Sequence, residues 1–189
     1  MATIPAPRAS VSTEDDPVGA ASARPVELGR NARLLLSVTR LSLGSIFAWA
    51  FLDKTFGLGH ETPRDGAWVR GGSPTEGFLD NAVAGPLAAS YRSIAGAGWA
   101  DWLFMIGLAG ISVALLLGIG MRLAAVSGAL LLVLMWTAVL PPANHVFMDD
   151  HLVDALVLGV LALTRAGDVL GLGVWWARLP LVRRFPFLR

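Results

Sequence analysis

Apolar residues fall into four long blocks, at 34–52, 102–119, 123–140 and roughly 146–164, separated by polar segments that carry Gly and Pro. A bilayer core about 30 Å thick takes about 20 residues of helix. Three blocks meet that length closely, and the fourth does so only when its acidic start is counted in. The pattern predicts an all-α membrane protein, a bundle of four transmembrane helices with spans at about 34–54, 100–119, 122–140 and 147–165. The short Gly118-Ile119-Gly120-Met121-Arg122 turn makes spans two and three an antiparallel hairpin, and Pro141-Pro142 ends span three because proline cannot continue the helix ladder. Small residues four apart, at Gly110, Ala114 and Gly118, at Ala124 and Gly128, and at Ala155 and Gly159, predict faces along which helix backbones approach closely in lipid.

The segment 55–98 is too long for a turn. Ser73, Pro74 and Glu76 make a helix start, with a capping hydroxyl, a proline at the first position and a reciprocal carboxylate at the third. A short helix is therefore predicted over about 74–83, interrupted by Gly85-Pro86, and a second over 87–94 with Tyr91 and Arg92. Both are mildly apolar and are expected in the extracytoplasmic loop after the first span, across the outer mouth of the bundle, either as a plug or as the lid of a pocket. Residues 1–30 hold Ala, Pro, Ser and mixed charge without the apolar core of a signal peptide, and read as a disordered cytoplasmic tail. Residues 31–176 form the membrane domain, and 177–189 a basic cytoplasmic tail.

Composition agrees with this division. Apolar residues make up 54% of the 189, the mean hydropathy is +0.61, and only 15% are charged, against about 25% in soluble domains. No separate soluble domain is expected. A net charge of +1 gives no reason to expect nucleic acid as a partner. The absence of cysteine excludes disulfide exchange, thiolate metal sites and cysteine-held iron–sulfur clusters in this chain. Arginines at 8, 24, 30, 33, 122, 165, 178, 183, 184 and 189 fall on one side of a four-span arrangement, while the acids of the loops after spans one and three fall on the other. Basic residues in short loops mark the cytoplasm, so both termini are expected inside, in a bacterial inner membrane.

Candidate chemistry concentrates at the opposite, outer side. The fourth block opens with Asp149, Asp150, His151 and Asp154. On a helix, Asp150 and Asp154 are four apart and His151 and Asp154 three apart, so they share a face. Ionisable groups at membrane depth are costly and need partners or a purpose. Asp53 and Lys54 end the first span at the same level, and Lys54 or His151 is placed to neutralise Asp150 or Asp154. His151 and Asp154 are the candidate proton-exchanging, catalytic pair. Asp53, Lys54 and Asp150 are candidate ligand contacts, with Trp68 and Tyr91 as ring contacts for a quinone. An ion-paired clasp joining spans one and four fits the same residues. His60, His145 and His151 match no metal signature and no span interior holds a histidine, so neither a metal site nor a haem is expected; any electron transfer calls for a bound quinone or a partner subunit. Arg40, about a third of the way into span one, is expected to snorkel to the cytoplasmic face, the other reading being an internal ion pair or a polar contact to a headgroup.

Several of these segments carry a family likeness. The first span from Arg40 through Gly44 and Phe47 to Lys54, the stretch 71–79, the 144–154 opening of span four, and the following Gly167-Asp168-x-x-Gly171-Leu172-Gly173 resemble the DoxX/DoxD family of bacterial and archaeal membrane proteins, over about residues 31–176. The resemblance implies a four-helix membrane bundle. It also implies a role as the membrane subunit of a thiosulfate:quinone oxidoreductase, or in oxidative-stress complexes with partner enzymes. A non-enzymatic scaffold or assembly factor for such a complex is the alternative.

Overall fold

The computed structural model describes residues 28–143 and 145–189, so all but the last three residues of the tail expected at 1–30 lie outside the described residues. Within them the chain is helical, without a strand. Helix α1 (Arg30–Phe56) is the longest and ends at Gly57, whose φ of 63° sets a left-handed cap and whose N–H donates to Asp53 O at 2.8 Å. Two short helices follow, α2 (Glu76–Asn81) and α3 (Ala88–Arg92). Helix α4 (Gly98–Leu117) stops at Gly118, again left-handed with φ 71°, and α5 (Met121–Ala138) starts after Gly120. Helix α6 (Asp150–Leu163) is capped by Asp149, whose Oδ1 accepts from Leu152 N–H at 3.1 Å. Two further short helices, α7 (Gly173–Trp176) and α8 (Pro180–Arg184), complete the chain.

The four longer helices run alternately up and down. α1 packs on α4, α4 on α5, α5 on α6, and α6 returns to α1. Leu43, Phe47, Met105, Ile111, Leu115 and Leu158 fill the space between them. The outward faces are apolar as well, with Leu35, Val38 and Ile46 on α1, Leu103 and Ile106 on α4, and Val126 and Leu130 on α5 all well exposed. α1, α4 and α5 are long and apolar enough to cross a membrane, and a surface of this kind suits lipid contact. α6 has 14 residues, about 21 Å of helix at 1.5 Å per residue.

The small-residue faces divide. Gly128 is buried on the α4 and α6 side, where a Cβ would fall 2.6 Å from Leu158 Cδ1. Gly44, which the spacing did not single out, lets α1 close on α4, its missing Cβ 2.9 Å from Leu115 Cβ. Gly110 and Gly159 instead look onto open space. α4 turns Leu108, Ile111 and Leu115 inward, which places Gly110 on the outer side of the same helix.

Arg40 does not snorkel. It is fully buried, at 0% exposure. Its Nη1 donates to the carbonyls of Leu115 and Leu116 in the last turn of α4, the latter at 3.0 Å, and Nη2 donates to Leu170 O at 2.7 Å. The C-terminal carbonyls of a helix lack intrahelical donors and carry partial negative charge, so the guanidinium caps α4 from the side. The glycine-rich 167–173 segment makes room for it. A Cβ at Gly171 would stand 3.1 Å from Arg40 Nη2, and one at Gly118 3.3 Å from Arg40 Cζ. Ser37, one turn earlier on α1, adds a bond to Ala166 O at 3.2 Å. The partners of Arg40 are thus backbone carbonyls rather than the carboxylate of an internal ion pair, and they come from chain segments far from it in sequence.

Candidate functional site

At the other end of the bundle, α1 finishes, α4 begins, α5 finishes and α6 begins. Asp53 is 2% exposed there. The turn after Gly57 folds residues 60–62 back over it, and its carboxylate accepts backbone N–H groups from His60 at 3.2 Å, Glu61 at 3.0 Å and Thr62 at 2.8 Å. Three amide donors satisfy a buried carboxylate without a cation. Lys54 Nζ lies 3.5 Å from Glu61 Oε2, a partly exposed pair.

Beside this turn a groove of about 360 Å³ runs along α1, lined by Ser45, Ile46, Trp49, Ala50, His60 and Glu61 above Asp53. Ile46 and Ala50 give it an apolar floor. Trp49 and His60 meet edge to face across it, with ring centroids 6.3 Å apart and an interplanar angle of 68°. Ser45, Glu61 and the imidazole supply polar atoms at its rim. Volume and mixture of surfaces fall in the range of small-ligand sites.

The α6 cluster stands apart from this groove. His151 Nδ1 lies 2.7 Å from Asp149 Oδ2 and 3.4 Å from Asp150 Oδ1. Asp149 is mostly buried, while the Asp150 side chain is 88% exposed. Asp154 is half-buried one turn further on, with no hydrogen-bond partner for its carboxylate among the described residues. Asp149, Asp150 and His151 each offer one ligand-type atom within 4.8 Å of the others, but both Asp149 oxygens are already engaged, with Leu152 N and His151 Nδ1. Among the described residues no hydrogen bond or ion pair joins Asp53 or Lys54 to Asp150, His151 or Asp154, so the acids of α1 and α6 form two separate polar groups.

The two proposed ring contacts are engaged elsewhere. Trp68 stands edge to face against Trp102 of α4, with centroids 4.7 Å apart, and packs on the main core. The Tyr91 hydroxyl bonds Leu134 O at 3.1 Å and Thr137 Oγ1 at 2.5 Å, fastening α3 to the end of α5. Beside it Leu79 and Val83 pack against Ala138, and Arg92 Nη2 donates to Val83 O at 3.0 Å. Ser73 Oγ accepts from Glu76 N–H at 3.2 Å, the bond its place in the sequence calls for, although the regular helix starts only at Glu76.

Asp101, in the first turn of α4, carries more structure than its spacing indicated. It is 6% exposed. One of its oxygens accepts from Ser73 Oγ at 2.8 Å, Thr75 N–H at 3.0 Å and Thr75 Oγ1 at 2.6 Å. Asp53 and Asp101 thus each clamp one part of the long connection between α1 and α4. Neither partnership is visible in i+3 or i+4 spacing; the Gly57-x-Gly59 and Ser-Pro-Thr turns were the available signals. No family model, no curated protein and no solved structure matches this chain, and the arrangement of these side chains is the ground on which its function rests.

Proposed function

We propose that the chain is a four-span, DoxX-like subunit of a bacterial inner membrane, with both termini cytoplasmic. It binds a quinone-class ring at the non-cytosolic end of the bundle and couples a partner oxidoreductase, of which a thiosulfate:quinone type is one candidate, to the quinone pool. α6 supplies the fourth crossing. Its Val153, Leu156, Val160 and Leu163 form an exposed apolar stripe at helical spacing, and Val146 and Phe147 add apolar length ahead of the Asp149 cap.

The observation that carries the ligand reading is the α1 groove. A quinone needs a flat apolar seat, a hydrogen-bond donor for a carbonyl and an exit for its prenyl tail into lipid. Trp49, Ile46 and Ala50 suit the ring, His60 the carbonyl, and the exposed side of α1 at Ile46 the tail. The neutral imidazole carries one ring N–H donor and one acceptor nitrogen. His151 and Asp154 remain the candidate pair for proton exchange at α6, and separate variants tell the two places apart.

The test is binding of a short-chain quinone to the detergent-purified protein, read by quenching of tryptophan fluorescence, with organic extraction of the same sample for co-purified quinone. His60→Ala and Trp49→Leu are expected to weaken binding by about tenfold, the equivalent of 1.4 kcal/mol. Loss of binding in His151→Ala and Asp154→Asn, with His60→Ala and Trp49→Leu unchanged, moves the site to α6. No quinone in the extract and no quenching in the wild type refutes the reading.

A second reading, a non-enzymatic scaffold for a redox or stress-response complex, draws on α4. Gly107 and Gly110 look outward onto open space, and such positions let a foreign helix approach closely in lipid. Partner proteins cross-linked at Gly107 or Gly110, in a preparation without bound quinone, favour it.

A further inference from the structure

At the end of the bundle away from the groove, α4 turns into α5, and α6 gives way to the C-terminal helices. A cavity of about 30 Å³ opens there, lined by Arg122, Arg165, Arg189, Asp168, Trp176 and Gly118 among others. We propose that this cavity binds a phosphate-bearing anion, either the headgroup of an anionic phospholipid or free phosphate. The proposal rests on the membrane reading above and goes beyond the quinone site.

Three side-chain guanidiniums face one side-chain carboxylate. Arg165 Nη2 pairs with Asp168 Oδ2 at 2.9 Å, and Arg122 Nη1 donates to Pro186 O at 3.1 Å. Each leaves other N–H groups of its fork uncommitted. Arg189 Nε is buried and has no acceptor among the described residues. A buried donor without a partner is costly and is normally met by water, an ion or a ligand. The volume holds about two water-sized atoms, the number of non-bridging oxygens on a phosphodiester. Guanidinium forks match phosphate oxygens in geometry as well as charge.

The surroundings favour a headgroup. Trp176 Nε1 donates to Leu188 O at 2.6 Å, and Arg122 N–H donates to Arg189 O at 2.9 Å, so the C-terminal segment is folded against the start of α5 and closes one wall. On the chain segments beside Gly173 and Trp176, Leu172, Val174 and Trp175 are exposed, as is Leu181 on α8, a mixture suited to the bilayer interface. Arg178, Arg183 and Arg184 are exposed as well, and basic side chains at this depth attract anionic lipid.

The experiment measures the thermal midpoint of the detergent-purified full chain with added phosphatidylglycerol, phosphatidylcholine or millimolar inorganic phosphate. The wild type is expected to rise with phosphatidylglycerol and not with phosphatidylcholine. Apparent affinity is expected to fall about tenfold in the Arg122→Gln, Arg165→Gln double variant and to persist in Arg33→Gln, an exposed arginine at the same end of α1. Asp168→Asn removes the competing carboxylate, keeps all three arginines and is expected to bind more tightly, so it remains informative if the double variant does not fold. A response to inorganic phosphate as well assigns the site to the free anion; a response to the lipid alone assigns it to the headgroup. Equal responses to the two lipids with none to phosphate, or an undiminished response in the double variant, overturns the proposal. Quinone binding is read in a separate assay, so its failure leaves these outcomes intact.

Discussion

Replacing Arg40 by methionine removes the guanidinium while keeping most of its volume and apolar stem. Three carbonyls, Leu115 O, Leu116 O and Leu170 O, then lose their donor. A buried acceptor left unmet costs about 1–3 kcal/mol. The low end applies here, since two of these carbonyls sit at the terminus of α4, and removing a buried cation also returns its desolvation penalty. Three acceptors at about 1 kcal/mol each give roughly 3 kcal/mol, or a folded-to-unfolded ratio lower by about 150-fold. Arg40→Lys keeps the charge but offers one point donor in place of a planar fork. It cannot span the α4 terminus and Leu170 together, and is expected to lose about 1–2 kcal/mol. Reversible unfolding in mixed micelles, followed by tryptophan fluorescence, measures both. Arg33→Met, on the exposed side of α1, is the control and is expected within about 0.5 kcal/mol of wild type. If Arg40→Lys matches wild type, the position needs only a positive charge near the membrane surface and the capping argument fails. If Arg40→Met does so too, the bonds contribute nothing to stability.

Further outcomes follow from the same geometry. Gly167→Ala places a methyl against the Gly118 carbonyl, where neither backbone can retreat, and should destabilise by about 1–3 kcal/mol in the same unfolding assay. Gly128→Val should separate α5 from α6 at Leu158 by a comparable amount, seen as a lowered thermal midpoint; an unchanged midpoint would mean that Leu158 has free space to move into. Asp101→Ala strips Ser73 and Thr75 of their shared acceptor. It should raise amide exchange at Ser73, Thr75 and Glu76 by more than about tenfold while leaving α5 protected.

Much of the helical framework is legible in the sequence, because apolar blocks bounded by glycine and proline leave few alternatives. The expected span at 100–119 is α4 at Gly98–Leu117, and the one at 122–140 is α5 at Met121–Ala138. The fourth block is shorter than its apolar content indicates. Asp149 caps the helix in place, leaving Val146 and Phe147 outside it. Side-chain partnerships were less legible. Spacing along one helix pairs His151 with Asp154, whereas in the folded chain His151 turns back to Asp149, the residue that also holds the helix start. The sequence sets Asp53 level with the acids of α6, but a reversing turn brings three amides to it first. Trp68 and Tyr91 are expected as ring contacts for a quinone, and each has a neighbour on a helix far along the chain. Arg40 left one trace, the glycine-rich 167–173 stretch. Nothing in the local pattern joins that stretch to the first span.

The bond from Arg40 to Leu170 spans 130 residues of chain. At a synthesis rate of about 5–20 residues per second, the guanidinium emerges roughly 7–26 s before its last acceptor exists. For that interval α1 holds a guanidinium that its own sequence does not supply with acceptors, and the hairpin of α4 and α5 arrives with two of the three while the third is still inside the ribosome. α1 is thus made well before it is finished, and its final seating is timed by the synthesis of Leu170.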